Sequence, residues 1–223
     1  MPFPTSPKGQ RPLAPTRDGL LPVALRRDLA DLNAQYLELG LLAGSAPDAC
    51  FGWSEAVRRC IAETDPASRA RMATSPFALF HVALPGTPPW EHPPRVEDGL
   101  PTAVAGPFHA RCLSFAHQVA FLAMRLVEGS PLAGRLVLGL SPAGEAWLRE
   151  LRPSQVADVA ADPGLIRPRW PTHVRFWAMF AGAARRASPE ALRWTHCVGL
   201  CLLGSDEATP PAGDATARRG ARR

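Results

Sequence analysis

No GxGxxG, P-loop, HExxH or GxSxG occurs anywhere in the 223 residues. Their absence removes the sequence grounds for a dinucleotide-binding turn, a phosphate-cradling loop, a helix-borne zinc protease site and a hydrolase nucleophile elbow. Apolar runs of membrane-spanning length are missing too. The most apolar helix candidate, Leu113 to Val127, is interrupted by His117, Gln118 and Arg125. The N-terminus, MPFPTSPKGQRPLAPTRDG, lacks the apolar core of a signal peptide. Cysteines are few, odd in number and irregularly spaced (Cys50, Cys60, Cys112, Cys197, Cys201), which favours reduced thiols over a disulfide framework. These absences predict a soluble, cytoplasmic chain with no membrane segment. Lysine is nearly absent: of 25 basic residues only Lys8 is not arginine. Such a bias is the mark of a GC-rich coding sequence and gives no argument for guanidinium chemistry.

Proline, by contrast, is abundant. Its 25 residues are about twice the usual share and gather at the N-terminus, in the middle and in the tail. That pattern predicts ordered blocks between stiff linkers. Hydrophobic residues make up 46%, as in a folded protein. The formal charge of +5 lies mostly at the ends: +3 in residues 1–29, +1 in 204–223 and only +1 in 30–203. Between 163 and 203, Arg167, Arg169, Arg175, Arg185, Arg186 and Arg193 face Glu190 alone. That local excess could attract phosphate, although a solvated helix face is the commoner meaning of such a run.

Residues 1–22 form a disordered, Pro/Arg-rich N-terminus on composition. A helix should start near Pro22. Leu25, Leu29, Leu32, Tyr36 and Leu39 advance by four, three, four and three and make one narrow stripe, with Arg26, Arg27, Asp28, Asp31 and Asn33 opposite. Such a seam suits another helix, from this chain or a partner. FGWSEAVRRCIAE follows, capped by Ser54, with Val57, Cys60 and Ile61 on one face. In TDPASRARMATSPFALF, Thr64 to Phe80, Asp65 is the N-cap and Pro66 the first helical residue; Pro76 stops the helix. The apolar PFALFHVAL fits a helix or a strand.

This order is written twice. An ungapped offset of 87 aligns residues 51–80 with 138–167 at eight identities in thirty, including Gly52/Gly139, Ser54/Ser141, Pro66/Pro153 and Pro76/Pro163. Cap serine, helix-start proline and helix-stop proline recur together, and apolar pairs such as Ile61/Leu148 and Met72/Val159 keep phase. The second long helix, with Leu113, Phe115, Val119, Phe121, Leu122, Met124 and Leu126, is apolar nearly all round, as a central helix would be. A tandem duplication follows, with two copies paired about a pseudo-twofold axis, each hiding the other's apolar flank.

The run DLNAQYLELGLL, then FGWSEAVRRCIAE, then DPASRARMATSPFALFHV resembles the small all-helical subunit of the bacterial flagellar master transcriptional activator, the FlhD-type proteins. Asp31, Leu32, Asn33, Tyr36 and Leu37 match the dimerising-helix motif D-[IL]-N-x-x-Y-L, and Gly52 matches the opening of the short helix. Phe77, Leu79, Phe80 and His81 fit the apolar exit segment. The resemblance covers roughly residues 28–82 and returns at 112–168 without the Asn or Tyr. It implies an all-α, dimer-like fold and a part in transcription regulation through a partner subunit and DNA. This chain is about twice as long as the family pattern and adds a C-terminal pair of helices.

Those two helices are expected at Thr172 to Ala187 and from Ser188, as cap, to Gly204. His196, Cys197 and Cys201 could share a face, but zinc needs a further ligand cluster, and cysteines there are commoner as core filler. His117 reads as a core histidine, Glu63 and Glu150 as exposed helix-end acids, and Trp90 and His92 as anchors of the linker. No catalytic, cofactor or metal site is expected, and the chain should not be an enzyme.

The expected architecture is all-α: helical repeat 1 at 23–83, a Pro-rich linker at 84–107, helical repeat 2 at 108–168, a helical hairpin at 169–204 and a basic tail at 205–223. It should be a monomeric pseudo-dimer acting on an unidentified protein partner. Leu25, Leu29, Leu32, Tyr36 and Leu39 form the partner or repeat interface. The alternative is DNA contact through Arg167, Arg169, Arg175, Arg185, Arg186 and Arg193.

Overall fold

The computed structural model describes residues 21–43, 53–84, 106–162 and 165–207. Residues 1–20, the connector 85–105 with Trp90 and His92, and the tail beyond 207 lie outside the described residues, as do Cys50, Gly52 and Pro163.

Helix dominates. The first helix, α1 (Val23–Leu42), begins directly after Pro22. Its stripe is buried at Leu29, Leu32, Tyr36 and Leu39 and half-buried at Leu25. Helix α2 (Glu55–Ala62) is capped by Ser54, whose hydroxyl accepts from the Val57 amide. Helix α3 (Pro66–Ala73) opens on Asp65, whose carboxylate accepts from the Ser68 amide at 2.9 Å and the Ser68 hydroxyl at 2.6 Å. Capping oxygens satisfy amides that the first helical turn leaves without partners, and here they fix where two short helices start.

Beyond α3 the chain forms a three-residue strand, β1 (Phe80–Val82). Phe77, Ala78, Leu79 and Phe80 are all fully buried. A segment covered on both faces has no alternation of apolar and polar side chains, which is why its pattern fitted helix and strand alike.

Helix α4 (Pro107–Gly129) is followed by a short α5 (Pro131–Ala133) that widens into a π-helical turn, Gly134–Leu138. Gly139 ends that turn at φ 71°, and a Cβ there would collide with the guanidinium of Arg169. Glycine is therefore required twice over, by torsion and by space. Helix α6 (Pro142–Glu150), capped by Ser141, precedes a 3₁₀ turn, Pro153–Gln155, that runs into α7 (Val156–Ala160). Strand β2 (Ile166–Pro168) and helices α8 (Val174–Arg185) and α9 (Pro189–Glu207) complete the described chain. Helix α9 continues through Gly204, where its end was expected.

Helices α1 and α4 lie antiparallel: Asp28 bonds Arg125 at 2.7 Å, Gln35 bonds Gln118 at 3.1 Å, and Glu38 lies 3.9 Å from Arg111. Helix α1 also packs on α2 and α3, and α4 on α6 and α7. Strands β1 and β2 pair antiparallel, Phe80 opposite Pro168, His81 opposite Arg167 and Val82 opposite Ile166. Helix α8 covers α2 and α3, and α9 lies on α8. Tyr36 sits at the centre, its ring 5.3 Å from those of Trp53 and Phe80 and 6.2 Å from Phe115.

Helix α4 departs from expectation. Arg111, Ser114, Gln118, Phe121 and Arg125 recur along one exposed face, so α4 is amphipathic and Phe121 stands on its solvent side at 49% exposure. Phe121 is one apolar residue among Arg111, Ser114, Gln118 and Arg125 at helical spacing, so the polar face is visible only when residues are placed around the helix. Among the described residues, no helix is long and apolar enough to cross a membrane.

Candidate functional site

Of the motif residues of α1, Leu32, Asn33, Tyr36 and Leu37 turn inward, while Asp31 is exposed. Asn33 was placed on the polar face, yet it is fully buried. Its amide donates to the carbonyls of Ala73 at 3.2 Å and Phe77 at 3.0 Å, and its oxygen accepts from the Leu79 amide at 2.8 Å. One side chain thus ties the exit of α3 and the approach to β1 to the middle of α1. Burial pushes the Tyr36 phenol far above its ordinary pKa, opposed by Trp53 and by the charge of Arg169. Asn33 and Tyr36 are parts of the interior, and so is the seam from Leu25 to Leu39. The outward residues along α1 are mostly polar (Arg26, Arg27, Asp31, Glu38), with Val23 and Leu42 exposed at its two ends.

The six arginines separate into three groups. Arg169 is 4% exposed; its Nη1 donates to the carbonyls of Ala78 at 2.8 Å and Val137 at 3.3 Å, and its guanidinium lies 5.7 Å from the Trp170 ring centre. Spent on main-chain carbonyls inside the molecule, it is withdrawn from any nucleic-acid surface. Arg167 lies half-buried in β2 opposite His81. Arg175, Arg185, Arg186 and Arg193 are exposed on α8 and α9, and none of these four forms an ion pair among the described residues. The tight turn at Ala187, φ 50°, brings the last turn of α8 next to the first turns of α9. Arg185, Arg186 and Arg193 therefore share the closed end of the hairpin.

Helix α9 divides its residues between two faces. On the inner face, His196 points edge-on at Phe77 and Phe180, with ring centres 6.1 and 5.7 Å away. Thr195 is buried and returns its hydroxyl to the Ala191 carbonyl. Gly199 rests on the Phe77 ring, which occupies the space a Cβ would need. On the outer face, Trp194 is 67% and Leu200 40% exposed, with Cys197 and Cys201 beside them. The two cysteines are therefore surface residues rather than core filler, and His196 faces away from both. Burial pushes the His196 pKa down. It pushes the half-buried Cys60 thiol up, against the pull of Arg185 nearby.

Two features had no sequence signal strong enough to find them. Glu145 in α6 is 2% exposed, and Arg135 of the π turn donates to its Oε2 from Nε at 3.1 Å and Nη2 at 3.0 Å. An acid in a helix's first turn is ordinary on the surface, so its burial was not legible. Trp194 follows Arg193 in a helix with apolar residues on both faces, and only the seat of α9 decides which are covered. The remaining candidates stay apart. His117 is half-buried and bonds the Leu113 carbonyl at 2.8 Å, one turn back. Glu63 and Glu150 are exposed at the ends of α2 and α6. Among the described residues no group of three or more His, Cys, Asp or Glu is placed to hold a metal.

No family model, curated protein or solved structure matches the chain.

Proposed function

We propose that the chain is a non-enzymatic helical regulator or adaptor, a fused pair of FlhD-type repeats that presents helical surface to a protein partner. The element order supports the fusion. Shifted by 87, α1 falls on 110–129 within α4, α2 on 142–149 within α6, and α3 on 153–160, the 3₁₀ turn plus α7. The packing of α1 on α2 and α3 recurs as that of α4 on α6 and α7.

The observation that carries the reading is the strand register. Phe80 faces Pro168, the repeat equivalent of His81, while His81 faces Arg167, the repeat equivalent of Phe80. Antiparallel pairing of two strands that are equivalent under the repeat is what a pseudo-twofold arrangement would give. The second copy carries Ala120 and Ala123 where the first has Asn33 and Tyr36, so one polar clamp serves the pair. The α8–α9 hairpin, outside both repeats, is one surface open to a partner, with Trp194 67% and Leu200 40% exposed.

A second reading, DNA contact, is favoured by one feature: the four exposed hairpin arginines that no described acid neutralises. Capture of the tagged full chain from its native cell separates the two. The adaptor reading predicts a protein partner in fixed proportion, kept after nuclease treatment and at raised salt. DNA alone, lost with salt and with Arg175→Ala, Arg185→Ala and Arg186→Ala together, favours the second reading. Recovery of the bare chain under every condition contradicts the adaptor.

A further inference from the structure

We infer that one face of the β1–β2 pair is a binding site for a small oxyanion, gripped by the guanidinium of Arg167. This inference is independent of the adaptor reading. His81 and Arg167 stand directly opposite each other in the antiparallel register, so their side chains leave the same face with Cβ atoms about 5 Å apart. Both are half-buried and keep contact with solvent. Arg169 follows two residues after Arg167, and its guanidinium is fixed in place by the Ala78 and Val137 carbonyls at 2.8 and 3.3 Å. A Cβ placed on Gly139 would touch both the Arg169 guanidinium and the His81 Nδ1, the latter at 3.1 Å, so the two side chains meet over that glycine.

Arg167 supplies the observation that calls for a ligand. Its Nε is buried with no hydrogen-bond partner, and its guanidinium forms no ion pair among the described residues. A buried N–H of a charged group without an acceptor is costly, and an ordered water or an ion is what ordinarily resolves it. Water supplies an acceptor and no charge. Beside two guanidinium groups, an oxyanion supplies both. Nε and the neighbouring Nη form the edge that grips two oxygens of a phosphate or carboxylate in parallel, and a neutral His81 ring carries one further N–H. Glu145, the buried carboxylate packed on the same π turn, already accepts from Arg135 at 3.1 and 3.0 Å. An anion held between residues 81 and 167 ties β1 to β2, and so stabilises their pairing by an amount that grows with its concentration.

The test is calorimetric titration of the full chain with inorganic phosphate in a chloride background, with acetate titrated in parallel. Phosphate binds the wild type, Arg167→Ala weakens it about tenfold or more, and Arg149→Ala, at an exposed position of α6, leaves it unchanged. Arg167→Lys keeps the charge and loses the fork, so it too binds more weakly than the wild type. That variant carries the test if Arg167→Ala fails to fold, which circular dichroism shows. Acetate binding with the same dependence on Arg167 assigns a carboxylate ligand, and binding of phosphate alone assigns a phosphoryl group; either result upholds the site. Failure of both anions to bind, or binding that survives the Arg167 substitutions undiminished, overturns the inference and leaves the adaptor reading as it stood.

Discussion

Asn33 lies one turn before Tyr36 on the buried side of α1, and its amide meets three main-chain groups 40, 44 and 46 residues further along the chain. Removing a buried hydrogen-bonding group leaves its partners desolvated and unpaired, which costs more than the bonds themselves contribute. Asn33→Ala should therefore lower stability by about 2–4 kcal/mol, read as a lower urea midpoint with an unchanged slope. Nothing in the pattern of α1 marks this residue as inward. A polar side chain two positions from a charged one is assigned to solvent unless its main-chain partners are known, and those come from a segment forty residues away. The burial of Arg169 is hidden from the sequence for the same reason: the carbonyls that hold it belong to Ala78 and Val137, distant in sequence.

Among elements, the helices whose starts are set by local chemistry were legible: Ser54, Asp65, Ser141 and Ser188 each cap within three residues of themselves. Elements shaped by burial were not. The run from Phe77 to Val82 carries no period because it is covered all round, and α4 exposes a phenylalanine that composition placed inside. Helix α9 shows the consequence for the site. Its inner and outer faces are both apolar, and only Phe77 and Phe180 determine that His196 is the covered residue and Trp194 the exposed one. Burial lowers the folded-state pKa of His196 below its unfolded value of about 6.5. Above that pH the ring is neutral in both states and the contribution is fully present; as pH falls through 6.5 the unfolded chain takes up the proton more readily, and stability is lost. The wild-type unfolding midpoint should thus fall between pH 7 and 5 more steeply than that of His196→Leu. Parallel curves would contradict the buried, neutral imidazole.

At the scale of the whole molecule, the doubling in the sequence and the antiparallel pairing of β1 with β2 underlie the proposal that two like units, each too thin to enclose an interior, share one. Domains below about 60 residues bury too little surface to be comfortable alone, and each unit is near that size. Leu29, Leu32 and Tyr36 are then as much the core of the second unit as of the first. The resemblance to flagellar regulators rests on the same residues. Native-state hydrogen exchange on Leu32→Ala tests the shared interior most directly. A core truncation of this kind costs about 2–5 kcal/mol. If the interior is shared, the most protected amides of α1 and of α4 should lose protection by the same free energy. Loss confined to residues 23–84, with the amides of α4 exchanging as in the wild type, would contradict it.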